Sequence, residues 1–564
     1  MNPLAYMKCA GRLLMALAAI ASIVLMAGCG SSSGGPPTPN NTGFGDGNLK
    51  GTYVISISGM DLNTNTKEVG SFAIVGTINT DGNGNITGGT VDVNDPDNVG
   101  VFTGKNAATV TPAPASTYAI GQDGRGTGTL KTSVGSFGLD FVLTSGNHGL
   151  ITRYDPTGTG SGTMDLQTSI TQTSLASLAF SLAGVDSGGK PLGTVGGFTL
   201  NSSGTVNNSN SVEDFNDDGT STGNTNLSLT GQVVLSSSPG TTGTATLTSG
   251  TTFTTSGSLN LDVWVIDSTH LKLIENDTLV SGVLLAGDAF TEQASFAAGQ
   301  LVYALGGIDS TLTQPVVAGG YATTDVNGNF SNIIIEDYND DGNVALAQHF
   351  ISTGDCAPPG RCLLDWANFV TNTEQAFTFA AYPSVNGGVQ LLEIDGHGLL
   401  QGAAFAQTAE SFAASEGYGL NLSGANFNDG WAEVDDIAQF DTSGTVFCLN
   451  MTGILDENDL AVTPQPFDEA LCGTYAPAAG GRGAISVGTP NTYLGGLNLE
   501  YYVVDASTVL FIDVDSFLDY GGQLAQLGVG VFGLQNASTD SVVGRHAISV
   551  VHPAVRSRAA KRRK

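Results

Sequence analysis

Four stretches of this chain carry the same markers in the same order, and a repeat of that length limits the fold more than any other feature. The first marker is a strand of alternating apolar residues that is expected to end at a glycine: Tyr53, Ile55, Ile57 and Gly59; Leu178, Phe180, Leu182 and Gly184; Leu301, Tyr303, Leu305 and Gly307; Tyr418, Leu420, Leu422 and Gly424. Successive glycines are 125, 123 and 117 residues apart. Two residues further on stand Asp61, Asp186 and Asp309, with Asn426 in the fourth copy. The second marker is a turn glycine followed by Asp-x-Asn: Gly84 with Asp92 and Asn94, Gly204 with Asp214 and Asn216, Gly328 with Asp337 and Asn339, Gly444 with Asp456 and Asn458. The third is Gly-Arg, at Arg125, Arg361 and Arg482, which the second copy lacks. The fourth is a pair of apolar strands, as in Leu261 to Ile266 and Leu271 to Ile274, closed by an Asp: Asp155, Asp277, Asp395 and Asp515.

A unit of about 120 residues is long enough for a core of its own, unlike a short solenoid repeat. It contains about eight strand-like runs separated by Asp-Gly, Asn-Gly and Gly-Asn turns. Alternation predicts Tyr53, Ile55 and Ile57 facing inward, with Val54, Ser56 and Ser58 on a wet face. The expected fold is all-β: four tandem antiparallel units, each an up-and-down barrel or a sandwich. A single four-bladed propeller is the rival, but a typical blade needs only about 40–50 residues. Composition agrees, since 78 of 564 residues are glycine and only 12% are charged. With 51 acidic against 19 basic residues, the net charge of −32 argues against nucleic acid as a partner.

The N-terminus reads as an address. Lys8 and Arg12 precede an apolar run from Leu13 to Met26, too short for a membrane span, which needs about 20 residues. It ends in Met26-Ala27-Gly28-Cys29, which resembles the lipobox of bacterial lipoproteins. That resemblance implies lipidation of Cys29, with palmitate among the acyl chains. Gly30, in place of an Asp, implies sorting to an outer membrane. Residues 1–28 are thus read as the signal peptide and 29–47 as a Gly/Ser/Pro tether. The β units follow at 48–172, 173–296, 297–410 and 411–545, and 546–564 is a basic tail.

The lipobox, Gly59-Met60-Asp61, Asp81-Gly82-Asn83-Gly84 and Asp92-Val93-Asn94 together resemble uncharacterised β-repeat lipoproteins of the acidobacterial kind. The resemblance covers nearly the whole mature chain and implies an envelope location without implying an activity.

Cys356, Cys362, Cys448 and Cys472 remain once Cys9 and Cys29 are set aside. An even number in an exported chain suggests disulfides, with the nearest partners giving Cys356–Cys362 and Cys448–Cys472. Asp214, Asn216 and Asp218, and likewise Asp337, Asn339 and Asp341, match the opening of a calcium loop. Thr225 and Gln348 stand where the closing Glu belongs, so the other reading is a turn capped by Asx side chains. No cofactor is required, and calcium is the candidate.

No catalytic residue is singled out. Gly219-Thr-Ser221-Thr-Gly223 fits a hydrolase elbow, yet it lies in a Gly/Ser/Thr loop, and the tether's Gly30-Ser-Ser32-Ser-Gly34 fits as well. The six histidines lack metal-ligand spacing. Trp264, Trp366 and Trp431 are candidate sugar platforms, although Trp264 stands in an apolar strand and reads as core. Arg556, Arg558, Lys561, Arg562, Arg563 and Lys564 make a tail suited to anionic lipid or envelope polysaccharide, or a solvated end. The expected function is a lipid-anchored envelope protein with a structural or adhesive role and no catalysis. The alternatives are a ligand- or carbohydrate-binding lipoprotein and a secreted hydrolase. Filled barrels favour the first reading and open ones the second.

Overall fold

The computed structural model describes residues 43–537, apart from 64–68, 97–103, 220–223, 255, 277–282, 297, 310–313, 326–333, 358–359, 369–375, 386–387, 414–415, 427–431, 443–450, 461–466, 478, 489–496 and 517–525. The described chain is all-β, with 34 strands numbered β1 to β34 along the sequence and a few short 3-10 turns. They form four antiparallel sheets of consecutive strands. Sheet 1 runs from β1 (Lys50–Leu62) to β9 (Gly158–Leu166), and sheet 2 from β10 (Ser177–Val185) to β18 (Leu284–Thr291). Sheet 3, from β19 (Gly299–Ile308) to β26 (Leu399–Ala406), and sheet 4, from β27 (Gly417–Asn426) to β34 (Gln526–Leu534), are closed eight-stranded barrels. Sheets 1 and 2 have nine strands each, and single bridges such as Asn85↔Thr117 and Val110↔Thr132 draw the edges of sheet 1 together.

In every sheet the first strand pairs with the last, and the marker glycine sits at that seam. A Cβ on Gly184 would lie 1.8 Å from the Leu284 carbonyl oxygen, and one on Gly307 would lie 1.7 Å from that of Leu399. The glycines do not end their strands as expected: β1 continues past Gly59 to Leu62. They let the first strand coil tightly against the last, the usual place for glycine inside a barrel strand. The turn chemistry follows the sequence more directly. The Asp81 carboxylate accepts the N–H groups of Asn83 and Asn85 at 2.7 and 3.2 Å.

The interiors are filled. Tyr53, Ile55, Ile57, Phe72 and Ile74 pack inside sheet 1. Leu178, Phe180, Phe215 and Leu261 do so in sheet 2. In sheet 3 Trp366 lies 5.1 Å from Tyr303 and 4.6 Å from Phe379, ring centre to ring centre. Tyr418, Phe440, Phe511 and Phe532 occupy sheet 4. An eight-stranded barrel has just enough room for such side chains.

The expectation of a wet outer face is overturned. Val54 is fully buried, together with Ala73 and Val75, against Trp264, Ile266, Ile274 and Leu284 of sheet 2. Ala179 and Val195 of sheet 2 pack on Ala380, Tyr382 and Leu392 of sheet 3. Val302 and Val317 of sheet 3 meet Tyr502, Leu510 and Ile512 of sheet 4, and Ile437 of sheet 4 shares that cluster with Val142 and Leu150 of sheet 1. Each sheet thus lays the outer side of its early strands on the late strands of the next. The contact of sheet 4 with sheet 1 completes a cycle.

Candidate functional site at the sheet junctions

The Asp-x-Asn segments lie on strands and not in loops: β3 (Ile86–Asp95), β12 (Val212–Asp217), β21 (Ile334–Asp340) and β29 (Met451–Asp459). Residues two apart on a strand share a face. Asp and Asn therefore point outward together while Val91, Val93, Phe215 and Leu455 point into the cores. Their outward face meets the following sheet.

The Asn donates to carbonyls of the hairpin before the last strand of that sheet. Asn94 Nδ2 reaches Glu275 O at 3.1 Å and Val283 O at 3.3 Å. Asn216 reaches Glu393 O and Gly398 O at 2.8 and 2.7 Å. Asn339 reaches Asp513 O and Asp515 O at 3.3 and 2.8 Å. Asn458 returns to sheet 1, to Arg153 O and Gly158 O at 3.2 and 3.0 Å. The marker Asp of those hairpins holds the strand before them in place. Asp155 accepts the Gly138 N–H at 3.3 Å, Asp395 that of Thr378 at 2.9 Å and Asp515 that of Asn498 at 2.9 Å. Asp277 lies outside the described residues.

The Asp is bound by the Gly-Arg marker. Arg361, first residue of β23 (Arg361–Asn368), grips Asp214 through Nε and Nη2, both at 2.7 Å, and the Tyr382 hydroxyl donates to the same carboxylate. Arg482, heading β31 (Arg482–Gly488), holds Asp337 at 2.7 and 2.6 Å, and the Tyr502 hydroxyl adds a bond of 2.6 Å. Arg125, heading β6 (Arg125–Lys131), donates to Asp456 at 2.9 Å. Such forked, charge-assisted bonds are the strong ones.

Sheet 2 lacks the arginine: the register places Thr242 where the arginines stand and Trp264 where Val142 and Tyr502 stand. Arg125 pairs with Val142 and Arg482 with Tyr502. In sheet 2 the corresponding cross-strand pair is Thr242 with Trp264. The Trp264 Nε1–H donates to Asp92 at 2.8 Å. Without a guanidinium, burial drives the Asp92 pKa up to about 7, with the nearby Asp262 adding to the rise and the Trp264 bond opposing it. Trp264 thus belongs to the junction and not to the interior of sheet 2, a role hidden in the sequence because its partner lies 172 positions away.

The six calcium candidates have protein partners. Asp214 and Asp337 are held by arginines, whose positive charge opposes a cation, and Asn216 and Asn339 present N–H groups to their neighbours. Asp218 pairs with Lys190, and Asp341 accepts from Gln314. The Asp-Gly pairs are turns: Asp341 and Gly342 have φ of 50° and 78° between β21 and β22 (Asn343–Ala357), as a two-residue hairpin loop requires. Among the described residues no group of three or more His, Cys, Asp or Glu is placed to hold a metal ion.

Cys356 stands opposite Cys362 in the β22–β23 ladder, and Cys472 lies on β30 (Phe467–Pro477). Cys29, Cys448, Ser221, Trp431, His546, His552 and the basic tail lie outside the described residues. His148 and His270 are buried on Asp165 and Asp288, at 2.7 and 2.6 Å, while His349 and His397 are exposed. Trp366 is 1% exposed and so offers no sugar platform. Two junctions carry grooves. One of about 700 Å³ lies between sheets 3 and 4, lined by Val344, Leu346, Ile485, Leu499 and Glu500. Another of about 670 Å³ lies between sheets 4 and 1, beside Arg125, Leu139, Tyr154 and Asp456.

No family model matches the chain, and no curated protein matches it. Among solved structures, the isotype 1 transferrin binding protein B from serogroup B Neisseria meningitidis aligns at 11% identity, over 69% of this chain and 84% of its own, with a TM-score of 0.16. Intact Ap-TbpB, with its N and C lobes, aligns at 10% identity over the same shares and with the same TM-score of 0.16. Likeness at this level carries no argument about fold or function. Among the described residues no helix is long and apolar enough to cross a membrane.

Proposed function

We propose that this chain is a cell-envelope lipoprotein, anchored through Cys29, whose four sheets are copies of one unit of about 120 residues. Its role is structural or adhesive, it catalyses no reaction, and it sits at an outer membrane. One observation supports this reading above the others: the repeated side chains are spent on holding the sheets together. Asp214, Asn216, Asp337 and Asn339 bind neighbouring sheets, and the interiors they surround are packed with Phe, Tyr, Trp and Leu. Mass spectrometry of protein extracted from the native envelope tests the anchor. A diacylated or triacylated Cys29 at the mature N-terminus is the expected result, and an unmodified terminus rejects it.

A second reading, binding of a ligand or carbohydrate, is favoured by the groove between sheets 3 and 4. Leu346 at its rim is 42% exposed. Screening the full chain against envelope glycans, with Leu346→Glu as control, separates the two. Saturable binding lost in the variant establishes the second reading.

A further inference from the structure

Arg482 is gripped by a carboxylate from each of two sheets. Asp337 of sheet 3 takes its Nε and Nη2, and Glu500, on β32 (Leu497–Asp505) of sheet 4, brings Oε2 to 3.0 Å from Nη2. Tyr502, two residues after Glu500, donates its hydroxyl to the same Asp337 at 2.6 Å.

The junction of sheets 1 and 2 repeats this frame with one change. Trp264, on β16 (Ser258–Asp267), stands at the Tyr502 position and donates to Asp92 at 2.8 Å, as the tyrosine does to Asp337. Asp262, two residues before Trp264, stands at the Glu500 position, within hydrogen-bonding reach of Asp92. At the arginine position the chain supplies Thr242, first residue of β15 (Thr242–Thr248), whose hydroxyl turns to Ser236 at 3.3 Å. Asp92, Thr242 and Asp262 are each partly exposed, so solutes reach them. The cations of the adjoining strands are taken: Lys105 by Glu275, which also meets Asn94, and Lys272 by Asp288, which also meets His270. Two carboxylates, one from each sheet, thus keep the arrangement that grips a guanidinium elsewhere in the molecule, and the strand beside them offers a threonine. Residues 43–537 carry 50 acidic and 10 basic side chains, a field that draws cations. A planar guanidinium matches paired carboxylates in a way that a compact ammonium does not.

We propose that Asp92 and Asp262 form a recognition site for a guanidinium group brought by another molecule, an arginine side chain of a protein or a small guanidine, bound between sheets 1 and 2 as Arg482 is bound between sheets 3 and 4. The site is separate from the Cys29 anchor and from the groove between sheets 3 and 4, so its test does not depend on either. Trp264 reports on it through its indole N–H signal in the proton–nitrogen spectrum of the full chain, assigned by its loss in Trp264→Phe. Methylguanidinium at pH 8 is expected to shift that signal saturably, with methylammonium at matched ionic strength binding at least about fivefold more weakly. Asp262→Asn should weaken binding about tenfold or more, and Thr242→Arg, which supplies the guanidinium from within, should abolish it. Binding at pH 5 should also be about tenfold weaker or less, because burial and the neighbouring Asp262 push Asp92 up to about 7 and the proton it takes competes with the guest. An acetylated Gly-Arg-Gly amide that binds about tenfold more tightly than methylguanidinium assigns the guest to a protein, and equal affinities assign it to a small guanidine. Should Thr242→Arg not fold, Asp92→Asn takes its place, with the same loss of binding expected as for Asp262→Asn. No saturable shift by about 20 mM methylguanidinium, equal binding of methylammonium, or undiminished binding in Asp262→Asn overturns the proposal.

Discussion

Asp214 of β12 and Arg361 of β23 are 147 residues apart in sequence and form a two-point ion pair across the boundary between sheets 2 and 3, with both N–O distances 2.7 Å. The carboxylate is fully buried and the guanidinium side chain only 11% exposed. Removing one member of such a pair strands the other charge, which costs more than the pair itself contributes.

Arg361→Met is therefore expected to lower unfolding stability by about 3–5 kcal/mol. Arg125→Met should cost less, because Arg125 is 21% exposed and reaches Asp456 through one nitrogen and not two. Urea unfolding of the full chain measures both. A loss below about 1 kcal/mol for Arg361→Met, the range of a surface pair, contradicts the junction reading.

Stability should fall as pH rises from about 4 to 8. Burial pushes Glu336 up to about 8, Glu213 to about 7 and Asp435 to about 7. Each has its folded pKa above its unfolded one. Its contribution is complete below the unfolded value and is lost as pH climbs through the folded value. The expected melting temperature is higher at pH 5 than at pH 8. Glu336→Gln should flatten the curve near its upper end, since the amide still accepts the Tyr303 hydroxyl that now binds Glu336 at 2.9 Å. A melting temperature that rises with pH across this range refutes the assignment.

Calcium should leave the melting curve unchanged. The carboxylates of Asp214 and Asp337 are taken by guanidinium groups and the amides of Asn216 and Asn339 are turned to donate. Melting with calcium and with chelator tests this. A midpoint that climbs with the logarithm of calcium concentration would show a bound cation.

Gly307→Ala should open or distort the seam of sheet 3. Its Cβ has no room 1.7 Å from the Leu399 carbonyl oxygen, a backbone atom that no rotamer change moves. Gly189→Ala, at a site with no atom within 4 Å, is the matching control, although its φ of 72° carries a small strain of its own. The seam variant should lose at least about 2 kcal/mol more than the control.

Cys356 and Cys362 face one another in the ladder, and opposite residues in an antiparallel pair have Cα atoms about 4.5–5.5 Å apart, within disulfide range. Non-reducing peptide mapping is expected to join them. Cys356 linked to Cys448 or Cys472 would exclude that pairing.

The strands and turns were legible because they depend on neighbours in sequence. Tyr53, Ile55 and Ile57 alternate with period two and do face inward. Asp341-Gly342 supplies the positive φ that a tight hairpin needs. The junctions were not legible, since alternation identifies two faces without saying what covers the second. Val54 belongs to a face that reads as wet and is buried by Trp264 and Leu284, more than two hundred residues away. The Asp-x-Asn spacing was equally visible, but a carboxylate and an amide two residues apart look alike whether they await a cation or a neighbouring arginine. Only the placement of Arg361 and Arg482 decides between these.

The return of Asn458 to the Arg153 and Gly158 carbonyls closes the row of four sheets on itself and so limits how many sheets such a row can hold. In an open row, duplication could add a fifth copy at either end at little cost, as solenoids do. Here the last copy's docking strand is already taken by the first copy's hairpin. An added copy would have to pry that contact apart and re-angle every other junction to close again. The number of sheets is therefore held by the closure itself, while a single junction can differ in chemistry, as the Trp264–Asp92 contact does from the arginine-held ones.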